Sequence, residues 1–196
     1  MIKNFLILLL SVTFFVGCSS DSDEPVVSGG TAAVSHKTGV FYVTGPVANL
    51  HYSTDNFPDE YTNEDGQFKY LEGEEISFDI AGIELGKADG SSIISPFNLI
   101  PGAEDASDSS VVSVGAMILS LSSGEFGGVL TLDNALKTYE FIDGFANYEA
   151  TSITDVYALI EQFSTDENKN YQPVEPGTSW YDDIVNLFSD SNTTNN

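Results

Sequence analysis

Two histidines, one cysteine and 30 carboxylates are the side chains in this 196-residue chain from which acid–base, nucleophilic or metal chemistry could be built. His36 falls in a stretch without hydrophobic period, and His51 falls on a predicted strand beside Tyr52. Neither belongs to a His-x-x-x-His pair or has a second cysteine nearby, so a zinc site lacks its usual ligands. A surface or core histidine is the reading for both. Serines are plentiful, yet no Gly-x-Ser-x-Gly elbow is present to raise one as a nucleophile. Carboxylates are so numerous that some pair must sit at glycosidase separation by chance, which leaves such a pair uninformative. The oxygen-rich stretch "DNFPDEY" offers Asp55, Asn56, Asp59 and Glu60 as a candidate ligand or Ca²⁺ loop, and Asp105 and Asp108 form a second acidic stretch. Neither follows the Asp-x-Asp-x-Asp-Gly pattern, so a solvated loop is the first expectation for both. Tyr52, Phe57 and Tyr61 flank the first loop and read either as a platform for a sugar or peptide or as buried core. The chain is accordingly expected to have no catalytic residue, no resident metal and no cofactor.

Charge narrows the partners. Against its 30 Asp and Glu the chain sets 6 basic residues, all lysine, for a formal net charge of −24. Phosphate neutralisation needs a basic patch, and this field repels polyanions, so nucleic acid is not expected as a partner. Anionic phosphate substrates are disfavoured on the same ground. Hydrophobic residues at 41% and aromatics at 12% are too abundant for a disordered chain, so the bulk of the sequence must fold.

The cysteine speaks to address. "MIKNFLILLLSVTFFVG" has a short basic start, an apolar run from Phe5 to Val16 and a small Gly17, the layout of a secretory signal over residues 1–17. The run is too short to span a bilayer comfortably and lacks a basic stop-transfer flank. Phe15, Val16, Gly17 and Cys18 resemble the lipobox of bacterial lipoproteins, with Phe15 where Leu is commoner. The resemblance implies that Cys18 is lipidated and ties the protein to the outer membrane. Residues 18–38 are rich in Ser, Asp, Gly and Pro and read as a flexible acidic tether. Asp21, Asp23 and Glu24 resemble the export signal of Bacteroidetes surface lipoproteins, which implies display at the cell surface.

The elements that must position any site follow. "GVFYVTGPVANLHYST" reads as two strands broken at Gly45-Pro46. Phe68 and Tyr70, then Ile76, Phe78 and Ile80, alternate with polar residues, which predicts two antiparallel strands. Ala81-Gly82 has the spacing of a tight hairpin, and Asn63 to Gly66 that of an Asx turn. The block from "GPVANLHYST" through "TNEDGQFKYLEGEEISFDIAGIELGKADG" to "SPFNL" resembles prealbumin-like and carboxypeptidase-regulatory-like β-sandwich modules, over residues 39–100. Such modules act as spacers, stabilisers or adhesive units and carry no catalytic residues. After Pro101-Gly102 the period becomes helical: Val111, Val114, Ile118 and Leu121 share a face, with Asp108 as cap and Gly124 as stop. Ser152 and Asp155 form a capping box ahead of Val156, Leu159, Ile160 and Phe163, and "SWYDDIVNLF" repeats the device. The expectation is an α+β protein, a small antiparallel β-sandwich followed by helices over residues 101–190, with 191–196 as a disordered tail. Its expected role is a non-enzymatic binding, adhesion or structural module of the cell envelope. The alternative is capture of a glycan, peptide or Ca²⁺, and the expected partners are the membrane, through Cys18, and an envelope protein or glycan.

Overall fold

Alternation of large apolar and polar residues decides the strand faces, and the rings it turns inward build the core. The computed structural model describes residues 35–105, 107–141 and 148–174. The signal segment, Cys18, nearly all of the tether, and "SWYDDIVNLF" with the tail beyond it lie outside the described residues. Among the described residues the content is mixed α and β, and no helix is long and apolar enough to cross a membrane.

One sheet has β4 (Glu60–Tyr61), β3 (His51–Ser53), β6 (Glu75–Ile80) and β7 (Ile83–Asp89) in that order, antiparallel throughout. A second orders β5 (Gln67–Tyr70), β1 (Lys37–Phe41) and β8 (Ile93–Ile94). A third joins β2 (Val47–Ala48), β10 (Leu130–Leu132) and β9 (Ser122–Ser123). Phe41, Tyr52, Phe68 and Phe78 are all buried, and their rings meet between the first two sheets. Phe78 lies 4.7 Å from Phe41 and 5.5 Å from Phe68, centroid to centroid, and Tyr52 lies 5.9 Å from Phe68. The Tyr52 hydroxyl accepts from the Lys69 amide at 3.1 Å, so its polar end is satisfied at the core edge.

Two expectations about strand pairing change. β1 runs parallel to β8, and β10 runs parallel to β2, where antiparallel pairing alone was expected. Long intervening segments permit this, because a parallel partner needs a crossover that a tight turn does not provide. The Gly45-Pro46 break likewise leaves its flanking strands in different sheets, with a lone bridge between Tyr42 and Pro46.

The predicted turns form as read. Ile80 faces Ile83 across Ala81-Gly82, with φ of 50° and 81°, the paired positive values of a type I′ hairpin. Asn63 Oδ1 accepts from the amides of Asp65 at 3.0 Å and Gln67 at 2.8 Å.

α1 (Pro96–Leu99) was not anticipated within "SPFNL". It begins where Pro96 follows Ser95, whose amide donates to Asn98 Oδ1 at 2.7 Å. α1 packs on β7 at Gly86, where a Cβ would lie 2.5 Å from the Leu99 carbonyl oxygen. α2 (Ser109–Ser120) starts at Asp108, whose carboxylate accepts from the Ser110 amide at 2.8 Å. Every residue from Val111 to Ser120 is buried, so α2 is enclosed on all sides where a single apolar face was expected. Ser113, Gly115 and Ala116 allow neighbours to close on its other faces. The chain leaves α2 at Leu121, and Gly124 serves instead in the β9–β10 turn at φ 138°. α3 (Ile153–Asp166) buries Val156, Leu159, Ile160 and Phe163 and packs on α2. Ser152 caps it as read, although the Asp155 carboxylate reaches back to the Glu149 amide at 3.2 Å instead of to Ser152. The hydrophobic core continues across residue 100, from Phe78 and Leu85 to Met117, Leu132 and Phe163.

Candidate functional site

A cleft of about 410 Å³ opens where the polar face of the four-stranded sheet meets a 3-10 helix (Asn134–Lys137). β3 turns Tyr52 inward and therefore His51 outward; β6 turns Phe78 and Ile80 inward and therefore Asp79 outward. The registers His51 with Asp79 and His51 with Tyr61 then place these three side by side on one face. Ala81, at its positive φ, lines the same cleft beside Gly82.

The opposite wall is held by short polar links. Asp133 caps the 3-10 helix by accepting from the Ala135 amide at 2.9 Å. Asn49, at φ 62°, donates from Nδ2 to the Leu132 carbonyl at 3.1 Å and to Asn134 Oδ1 at 3.3 Å. Lys137 Nζ donates to Asn49 Oδ1 at 3.0 Å and sits 4.8 Å from the Tyr61 ring centre, a cation over an aromatic face. Tyr139, Thr138 and Glu140 complete the rim.

His51 is the centre of the electrostatics. Its Nδ1 is bound by Asp79 Oδ2 and its Nε2 by Asp59 Oδ1 at 3.0 Å. Ionised carboxylates only accept, whereas a neutral imidazole has one N–H to give. Both contacts are satisfied together when the ring is an imidazolium. Burial pulls the ring's pKa down, but the hydrogen bonds and charges of Asp79, then of Asp59, outweigh it and raise it above its usual 6.5. Burial also raises the Tyr61 phenol, and the charges of Asp59 and Asp79 add to that.

A general base needs a free lone pair, and a triad needs its histidine on a hydroxyl. His51 instead holds a carboxylate at each edge, and because these lie on opposite sides of the ring they do not converge on one cation. Among the described residues no group of three or more His, Cys, Asp or Glu could hold a metal ion.

The four residues of the anticipated ligand loop go separate ways. Asp55 is exposed and borders an open depression of about 370 Å³ with Ser77 and Lys87. Asn56 turns to Glu74, donating from Nδ2 at 2.6 Å and from its amide at 3.1 Å. Asp59 binds His51, and Glu60 is exposed on β4. Asp105 accepts from Ser107, and Asp108 caps α2, so these two also serve local structure. The flanking aromatics do not form one platform: Tyr52 is core, Phe57 packs edge-on to His36, and Tyr61 lies between His51 and Lys137.

A larger open cleft, about 720 Å³, runs along α3 beside residues 168–173. Two residues of its lining, Lys169 through Nζ and Tyr171 through its hydroxyl, donate to Asp133. Burial raises the Asp133 carboxyl, but the bonds from Lys169, Tyr171 and the Ala135 amide hold it below the ordinary range. Sequence reasoning did not pick out Asp79, Lys137 or Asp133. The signal for Asp79 was its outward place in an alternating strand. Comparison with protein-family models, curated proteins and solved structures returned no match.

Proposed function

We propose that this protein is a non-enzymatic lipoprotein of the bacterial cell envelope, anchored in the outer membrane through lipidated Cys18, which works as a binding, adhesion or structural module. In this reading the first two sheets form a small β-sandwich, and the helices are packed on it as a cover. One observation carries the non-enzymatic part: at the cleft, both nitrogens of the histidine are bonded to carboxylates and neither to a hydroxyl that it could activate. The likeness of residues 39–100 to spacer and adhesive modules supports the same role.

The cleft between Tyr61 and the 3-10 helix favours one second reading, capture of a glycan or peptide by its polar and aromatic rim. Ca²⁺ capture has less support, since Asp55, Asn56, Asp59 and Glu60 turn to different partners.

The decisive test incubates the full chain with a panel of polysaccharides and chromogenic glycosides, beside Asp79→Ala and Glu140→Ala. Binding without product supports capture, and absence of both supports adhesion or scaffolding. Turnover abolished by either variant overturns the non-enzymatic reading. Fatty-acid probe labelling of the wild type that is lost in Cys18→Ala supports the anchor; unchanged labelling in the variant removes it.

A further inference from the structure

We propose that His51 is the pin of a pH-operated latch, which holds the second half of the loop 54–59 against the sheet in acid and releases it as pH rises. The inference is independent of what the cleft binds, and rests on how this loop is fastened. Its first half is tied down twice: Thr54 Oγ1 accepts from the amides of Asn56 at 3.2 Å and Phe57 at 3.0 Å, while Glu74 holds Asn56. Its second half has a different fastening. β4 is anchored at its far end by buried Thr62, which exchanges backbone bonds with Asn49 and Leu50, so the residues just ahead of β4 rest on Asp59, fastened to His51 Nε2.

The two carboxylates on His51 differ in freedom. The Asp79 side chain is 22% exposed and is braced at its other oxygen by the Gly82 amide at 3.1 Å; the Asp59 side chain is 83% exposed. Loss of one proton therefore has one outcome. Nδ1–H stays on Asp79, the proton leaves Nε2 for solvent, and a bare lone pair then faces Asp59 Oδ1. Two acceptors with no proton between them repel, and the exposed partner moves.

Other charges around His51 set the operating range. Glu84 of β7 stands across from Asp79 in the strand register, Tyr61 of β4 meets the imidazole edge-on at 5.0 Å, and Glu140 lines the shared cleft. Lys137 of the 3-10 helix, over Tyr61, is the opposing cation. Carboxylates outnumber it, so the cationic ring is favoured and release falls above the range of an isolated histidine. Tyr61, which lines the cleft, stands two residues after Asp59 and against the His51 ring, so the cleft wall senses the same proton.

The test uses the ¹⁵N-labelled full chain carrying His36→Gln, which leaves His51 as its single imidazole. Ring nitrogen shifts and backbone amides are followed by NMR from about pH 5 to about pH 9. The expected result is a ring midpoint above 6.5, with amides of residues 57–61 moving at that same midpoint. Asp59→Asn should lower the midpoint and abolish the loop response while Nδ1–H persists; Asp79→Asn should lower it further. A midpoint at or below 6.5, loop amides that ignore the ring, or an Asp59→Asn loop that still titrates with it would each overturn the latch. Because Asp59 is exposed, its variant tests the proposal even if Asp79→Asn fails to fold.

Discussion

Removing one ring from the core puts a number on the junction between the two main sheets. Phe78 is 0% exposed and belongs to β6, yet its tightest ring contact, 4.7 Å to Phe41, is to the neighbouring sheet. Phe78→Ala deletes a whole buried ring, which costs about 3–5 kcal/mol when the cavity does not collapse. Collapse is resisted here because Phe41, Phe68 and Tyr52 are each held by a different strand. The ring pairs at 4.7 and 5.5 Å lie in the favourable separation range, so the expected loss is about 4 kcal/mol. That is a large part of a total stability of about 5–15 kcal/mol, and at about 2–4 °C per kcal/mol it lowers Tm by about 8–16 °C. The assay is urea and thermal unfolding followed by far-UV circular dichroism, with the slope m checked for constancy. Phe57→Ala is the control: that ring is half-buried and meets His36 edge-on at 6.2 Å, so about 1 kcal/mol is expected. A Phe78→Ala loss under about 1.5 kcal/mol, or no larger than that of Phe57→Ala, would refute the claim that this ring joins the sheets.

Other perturbations probe the remaining contacts. Gly86→Ala forces a side chain onto φ 137° and against the Leu99 carbonyl oxygen, so it should cost at least about 2 kcal/mol; a neutral result in the same unfolding assay would contradict the close approach of α1 to β7. His51 has a raised folded pKa, so its contribution is fully present below about 6.5 and is lost as pH rises through the folded value. Tm should therefore fall from about pH 6 to about pH 8 in the wild type and stay flatter in His51→Gln; equal slopes would refute this assignment. Asp133 has a lowered pKa, so its contribution is present above the ordinary carboxylate range and lost as pH falls through the folded value. Asp133→Ala leaves Lys169 and Tyr171 without their shared acceptor and should cost about 1–3 kcal/mol, with faster amide hydrogen exchange in residues 164–171; unchanged exchange would show that the clamp holds nothing.

Legibility followed the range of the signal. Phe68, Tyr70, Ile76, Phe78 and Ile80 announced their strands because alternation is a local property, and Asp108 and Ser152 announced helix starts because a cap acts within one turn. α2 was recognised as a helix, but its full enclosure was written in Ser113, Gly115 and Ala116, in size and not in period. α1 was missed because four residues carry too little period to register. The cleft was the least legible. His51 and Asp79 each sat visibly on the outward side of an alternating strand, but their meeting depends on a register across 28 residues, which no local pattern encodes. The anticipated ligand loop failed for the converse reason. Closeness in sequence put four polar residues together, and the loop then turned Asn56 to Glu74, in the turn ahead of β6, and Asp59 to His51 on β3.

The pairing of β2 with β10 has a consequence for the order of events in biogenesis. Val47 waits for Leu130, so a chain emerging from its N-terminus must make more than two-thirds of its described length before this ladder can close. Contacts of such separation are slow to form, because the entropy of closing the intervening loop precedes any gain from the contact. Until then Val47 and Ala48, fully buried in the finished protein, present an open strand edge to other nascent copies. A chain halted near residue 100 would retain the four-stranded sheet's sequence but lack both β10, the partner of β2, and the buried helix α2, so arrested or clipped products should self-associate where the complete chain does not.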